Sequence, residues 1–469
     1  MPWPSLSVHR RRPPGRGGSI AVKALLLKYW DRVRSSFWFI PALMTGAAIA
    51  LAFATVALDE AVTDRWLETQ GWAYTGGAEG ASLVLGTIAG SMITIAGVVF
   101  SMTLVVLSLA SSQLGPRLLR NFMRDTTNQL VLGTFVATFV YCLLVLRTIR
   151  RASEFAFVPH LSVTIGVLFA LVSLGVLIYF IHHVSVSIQA DEVVARVGSE
   201  LIQGIDRLFP QQMGHAAPHP AGVQPGTRPP DEFDGEARPI GAAGDGYLQY
   251  VDADALMTLA TDEKVLLRLE RRPGQYVVMG SPLVMIWPGD RVTEPLERRV
   301  NSVFILGHQR TAGQDIEFAI HQLVEIAVRA LSPGINDPFT AITCVDRLGS
   351  ALHRLAQRDM PSPYRLDEHD HLRVIVPAVT FPGIVDAAFN QIRQYARSSA
   401  AVTVRLLETI AVIAGATHRP EDRAALHRHA EMISRGAREG LPEDGDRREV
   451  EERYQIASRA LREPGTLHH

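Results

Sequence analysis

Six hydroxyl residues fall on one stripe of a segment that carries no charge. Thr87, Thr94, Ser101 and Ser108 recur every seven residues, and Ser91 and Ser112 sit in the adjoining row at helical spacing. Hydroxyls along a wet axis can replace part of an ion's hydration shell, while apolar residues between them gate by dewetting. The same residues also admit a packing reading. Ser and Thr bond back to carbonyls of their own helix, and small residues let helices approach closely. Gly86, Gly90 and Gly97 lie near the stripe, and Gly86-x-x-x-Gly90 has the small-xxx-small spacing. Proton relay is disfavoured, because the apolar runs hold no Asp, Glu, Lys or Arg at their centres.

A second candidate lies far down the chain. Ser332, Pro333 and Gly334 end one predicted helix, and Asn336-Asp337-Pro338 opens the next, with Asp337 as N-cap and Pro338 at the first helical position. A helix start with free N–H groups also attracts anions, so a small anion would dock beside Asn336 and Thr340. Arg310, Asp315, Arg329 and Asp346 are the charged residues that would complete such a pocket. His182 and His183 are neighbours that point about 100° apart on a helix, which disfavours joint metal ligation. They read as a helix end at the membrane interface, or as a pH-responsive latch.

Enzyme signatures are absent. The chain has no Walker motif, no GxGxxG opening a helix after a strand, no HExxH and no GxSxG. No catalytic residue, metal or cofactor is therefore expected. Acidic and basic residues are mixed, so no nucleic-acid partner is expected either. The two cysteines, Cys142 and Cys344, lie in an apolar run and in the polar half, so no disulfide is expected.

The elements that must position these residues follow from hydropathy. A net charge of −1 and 20% charged residues look soluble, yet the first 190 residues are dominated by apolar runs. Residues 37–58, 81–114, 129–146 and 161–184 each reach spanning length for a core of roughly 30 Å. Lys23, Lys28, Arg32 and Arg34 precede the first run, with Arg10, Arg11, Arg12 and Arg16 further out. The next loop carries Asp59, Glu60, Asp64, Glu68 and Glu79 against Arg65, and the second carries Arg117, Arg120 and Arg124 against Asp125. The bias places both termini in the cytoplasm. Arg147, Arg150 and Arg151 oppose it, as an outer basic mouth or a contact with anionic lipid.

The division expected is a disordered basic arm over residues 1–34, a four-helix transmembrane domain over 35–190, and a helix extension with linker over 191–245. A small β unit follows over 246–290, then a helical α+β region over 291–440 and a charged C-terminal helix and tail over 441–469. Residues 191–208 look like a continuation of the fourth span. β-rich runs at 246–251, 264–269, 276–278 and 283–286 are separated by Arg272-Pro273-Gly274-Gln275 and Met279-Gly280-Ser281-Pro282 turns. Helices are expected over 338–357, 384–397, 400–416, 420–439 and 447–462, with a strand over 372–379. The fold class is thus membrane α-helical, with four transmembrane helices, plus a cytoplasmic α+β region.

Three stretches carry a family resemblance. They are residues 91–101 (SMITIAGVVFS), 109–117 (LASSQLGPR) and 330–341 (ALSPGINDPFTA). They resemble an uncharacterised bacterial family of predicted membrane proteins, domain of unknown function 2254, over about residues 34–440. The resemblance implies a bacterial inner-membrane location and no settled activity. From the residues, the function expected is a homo-oligomeric channel or transport-related protein, whose partners are the lipid bilayer, other copies of the chain and a small anion or ion. The alternative is a non-conducting scaffold or sensor that recruits a partner through its cytoplasmic region.

Overall fold

The computed structural model describes residues 38–61, 76–114, 126–150, 157–187, 189–209 and 229–462. The N-terminal arm, most of the 210–245 linker, the C-terminal tail, Asp64, Arg65, Glu68, Arg117, Arg120, Arg124, Asp125 and Arg151 lie outside the described residues. What is described divides into two compact units.

The first unit holds α1 (Phe39–Ala61), α2 (Ala78–Leu114) as far as Ser108, α3 (Thr126–Thr148) and α4 (His160–Ser187) as far as Ser185. All four are long and apolar enough to cross a membrane. In lipid no hydrophobic force drives such helices together, so close fit and polar contacts must. Both are present. A Cβ added at Gly133 of α3 would come within 2.6 Å of Met44 Sδ and 3.2 Å of Pro41 Cα, so α1 and α3 touch through a glycine. A Cβ at Gly166 of α4 would sit 2.9 Å from Leu85 of α2. Thr138 and Ser173 pair their hydroxyls at 3.1 Å between α3 and α4. Tyr141, fully buried, meets Thr55 at 3.1 Å and donates to the Ser162 carbonyl at 3.1 Å.

Asp59 differs from its sequence reading. It is not a loop acid, because α1 runs on to Ala61. Its carboxylate is buried and accepts the amides of Leu161 and Ser162 at 2.9 Å each and the Ser162 hydroxyl at 2.6 Å. It therefore caps the start of α4, where unpaired N–H groups and the helix dipole favour an anion.

The second unit begins with α5 (Ala190–Leu208). Gln189 takes an extended conformation and caps this helix, so α5 is separate from α4 rather than its continuation. Val193, Val194, Val197, Leu201 and Ile205 form a buried stripe on α5 that packs against α8 (Ile316–Ala330) and α9 (Pro338–Ala356). That stripe commits α5 to the helical layer. The layer is completed by α10 (Phe381–Ala396), α11 (Ala400–Ala416), α12 (Pro420–Gly440) and α13 (Asp444–Arg462). These agree with the expected helices to within a turn.

Beside this layer lie eight strands among the described residues: β1 (Arg238–Gly241), β2 (Gly246–Val251), β3 (Leu266–Leu269), β4 (Tyr276–Val277), β5 (Pro282–Trp287), β6 (Phe304–Gly307), β7 (Tyr364–Leu366) and β8 (Leu372–Ile375). Five form a mixed sheet in the order β1-β5-β3-β8-β7, and three form a second sheet in the order β4-β2-β6. The sheets share one core with α6 (Ala253–Asp262) and α7 (Glu294–Ser302), as Leu248, Leu256, Leu267, Val284 and Val300 show. The β unit thus draws β1, β6, β7 and β8 from chain on either side of residues 246–290.

Candidate functional site

The hydroxyl stripe of α2 faces away from the other three helices. Ala81, Leu85, Ala89, Met92, Ala96 and Val99 are the buried face, whereas Thr87, Ser91, Thr94, Ser101 and Ser108 are exposed in the single chain. The Ser112 side chain lies outside the described residues. Thr87 donates to the Leu83 carbonyl at 2.7 Å, Ser91 to Thr87 at 2.8 Å and Thr94 to Gly90 at 2.8 Å. Each such hydroxyl donates within its own helix and keeps its acceptor capacity. A Cβ added at Gly86, Gly90 or Gly97 meets nothing within 4 Å. Within one chain these three make no close approach, whereas Gly133 and Gly166 do. The sequence cannot separate the two kinds of glycine, since all five lie in apolar helices.

The Ser332–Thr340 loop is a helix junction. The Ser332 carbonyl accepts the amides of Ile335 at 3.1 Å and Asn336 at 2.9 Å, and Asp337 N–H donates to the Ala330 carbonyl at 2.8 Å. Asn336 takes a left-handed conformation, φ 51°, that asparagine tolerates better than most residues. Asp337 caps α9: its carboxylate accepts Thr340 N–H at 3.1 Å and the Thr340 hydroxyl at 2.5 Å. The chain's own carboxylate thus takes the place an anion would occupy. Of the charged residues considered beside it, Arg310 pairs with Asp315 at 2.8 and 3.0 Å, and Asp346 pairs with Arg405 on α11 at 2.5 and 3.0 Å.

His182 is exposed, and His183 stacks on Tyr179 with ring centroids 5.9 Å apart. Cys142 and Cys344 are free and buried. Among the described residues no group of His, Cys, Asp and Glu is arranged to hold a metal ion.

Sequence reasoning missed His429. It is fully buried in α12 and meets Asp386 of α10 through Nε2 at 2.7 Å, while Nδ1 has no partner among the described residues. Burial first, and Arg428 and Arg393 nearby, lower its pKa, although Asp386 acts to raise it. Asp386 itself is held below the ordinary carboxylate value, against its own desolvation, by bonds from His429 and Arg428. Both directions fit a neutral imidazole donating to an ionised carboxylate. It also missed a cavity of about 430 Å³ beside the five-stranded sheet, lined by α6, β8 and the turn at Arg272-Pro273. Its lining comes from six separate stretches of chain, and no local pattern announces it.

Comparison with known proteins adds a family. A family model described as predicted membrane protein (DUF2254) matches residues 34–412. An uncharacterized protein of Mycobacterium tuberculosis and one of Mycobacterium bovis are each 35% identical over 390 residues, covering 82% of this chain and 73% of the relative. No solved structure matches the chain.

Proposed function

The chain belongs to the DUF2254 family of predicted membrane proteins, and on that footing we propose a homo-oligomeric channel or transport-related protein of the bacterial inner membrane. The observation that carries this reading is the outward turn of the α2 stripe. One side of α2 buries Ala81, Leu85, Ala89 and Ala96, while the exposed side carries the Thr87, Ser91, Thr94, Ser101 and Ser108 stripe flanked by apolar residues such as Leu83, Val98 and Val105. A polar path along that face cannot lie inside a single chain. It needs several copies, with their α2 stripes turned toward a shared axis, where hydroxyl oxygens meet water and ions. The protein is read as non-enzymatic, and the region after α4 as the part that assembles or regulates the complex.

Orientation is part of the proposal. Basic residues before α1 and between α2 and α3, against an acidic loop between α1 and α2, support cytoplasmic termini. Asp59 is buried and no longer counts toward that bias, but Glu60 at the end of α1, Glu79 in the first turn of α2, and Asp64 and Glu68 between them in sequence still do.

A second reading, a dry scaffold, is favoured by the back-bonded hydroxyls. Thr87, Ser91 and Thr94 need no outside donor or acceptor, so the face is cheap to pack against another helix. Both readings put copies of α2 together. The test is thiol cross-linking in membranes, in a Cys142→Ala, Cys344→Ala background. Ser91→Cys is expected to give cross-linked multimers, and Leu171→Cys, exposed on α4, to stay monomeric. Cross-linking through 171 and none through 91 would move the seam to another helix.

A further inference from the structure

The cavity in the second unit has an apolar wall and a charge imbalance. Its volume, about 430 Å³, lies within the roughly 300–1,000 Å³ of small-molecule sites. Leu256 and Met257 of α6, Leu269 of β3 and Val374 of β8 line it. Two of its three acids are already engaged. Asp315 is gripped through both carboxylate oxygens by the Nε–Nη2 edge of Arg310, and Glu317 holds Arg272 at 2.6 Å. Gly274 leaves the room that Asp315 occupies, since any Cβ there would collide with its carboxylate.

The remaining charges are Asp254, Arg271 and Arg365. Asp254 is exposed in the first turn of α6, and among the described residues Arg271 donates only to the Glu270 carbonyl, at 3.2 Å. Arg365 is the informative one. Its partner in the β7–β8 register is Val374, so the two side chains share one face of the sheet. It is half-buried, and among the described residues no carboxylate pairs with it. Among the described residues both of its hydrogen bonds, to the Ser362 and Tyr364 carbonyls, leave from Nη1. The Nε–Nη2 edge is left over, and that is the fork which a carboxylate engages through two parallel bonds. Burial lowers the Arg365 pKa, the direction expected of a guanidinium without a counter-charge.

We propose that this cavity binds a small amphipathic carboxylate, with its apolar body against Leu256, Met257 and Val374 and its carboxylate on Arg365. The proposal is independent of whether the α2 stripe is wet. An exposed surface cation needs no ligand, because water solvates it. A half-buried one at the wall of an apolar cavity gains more from an anion, because the surroundings screen less.

The test uses the full chain in lipid nanodiscs and a photoreactive probe, trifluoromethyl-diazirinyl benzoate, with the corresponding benzyl alcohol as neutral comparator. The proposal requires saturable labelling that maps to peptides containing Met257 or Pro377–Val379 and that the alcohol does not reproduce. Arg365→Gln should weaken apparent affinity at least tenfold, and Arg365→Lys less. Ala378→Trp, which fills the exposed rim and leaves Arg365 in place, should abolish the labelling. Thermal unfolding of each variant keeps loss of fold apart from loss of binding; if Arg365→Gln unfolds, Ala378→Trp decides alone. Labelling that does not saturate, that the alcohol matches, or that survives Ala378→Trp overturns the proposal.

Discussion

The Asp59 carboxylate accepts both the amide and the hydroxyl of Ser162, a residue 103 positions further along the chain. One acidic side chain thus ties the end of α1 to the start of α4, and Tyr141 closes the group by donating to the Ser162 carbonyl. Asp59→Ala leaves buried donors without an acceptor and is expected to cost about 1–3 kcal/mol. Asp59→Asn keeps one acceptor oxygen and should cost less. Thermal unfolding of the detergent-solubilised chain measures both. Equal stability of wild type and Asp59→Ala would show that water serves these amides as well.

Two glycines separate folding of the chain from the assembly of copies proposed above. Gly133→Leu forces α1 and α3 apart at Met44 and Pro41, and should destabilise the chain by at least about 1–3 kcal/mol. Gly90→Leu meets nothing in its own chain, so the four-helix unit should keep its stability while the oligomer weakens. Size-exclusion chromatography with light scattering, read beside the unfolding temperature, gives both quantities. An oligomer indifferent to Gly90→Leu would put that face against lipid.

At the start of α9 the capping account is quantitative. Asp337→Ala should cost about 0.5–2 kcal/mol, and Asp337→Ser should recover most of it, since a hydroxyl also accepts from N3. Chemical denaturation followed through the helical signal reads the difference. Three equally stable proteins would remove the cap from the account.

Protonation of His429 should weaken the second unit. Its pKa in the folded chain lies below the ordinary 6.5, so stability is complete above that value and falls as pH drops through 6.5 toward the lowered pKa. His429→Gln can still donate to Asp386 but cannot titrate. Its unfolding temperature should therefore change less than wild type's between about pH 7.5 and pH 5.5. Parallel curves would mean that other groups carry the dependence.

The spans were legible because four charge-free runs of spanning length, clustered in one half of the chain, match the thickness of a bilayer and little else. Their faces were not. α2 carries two helical stripes, Ala81-Leu85-Ala89-Met92-Ala96 and Thr87-Ser91-Thr94-Ser101, and hydropathy cannot say which meets protein in a lipid-facing segment. Asp59 read as a loop acid because its partners lie on another helix. In the second unit the Asp337 cap is local chemistry and was readable, as were the amphipathic helices. Strands β1, β6 and β7 have four, four and three residues, too short for alternation to register. The Arg365 cavity depends on pairing between strands, which no single stretch encodes.

The central claim is that the α2 stripe lines a wet axis between copies. Thr94 and Ser101 lie on that stripe roughly 10 Å apart along the helix, and Leu104, also exposed in the single chain, lies off it. Single cysteines at 94, 101 and 104, in a Cys142→Ala, Cys344→Ala background, are exposed to a membrane-impermeant thiol reagent during bilayer recording. The account predicts conductance that falls on labelling at 94 and 101, with label incorporation at both exceeding that at 104. Protected residues at 94 and 101, with silent bilayers across voltage, pH and tension, would contradict it and leave the packed scaffold.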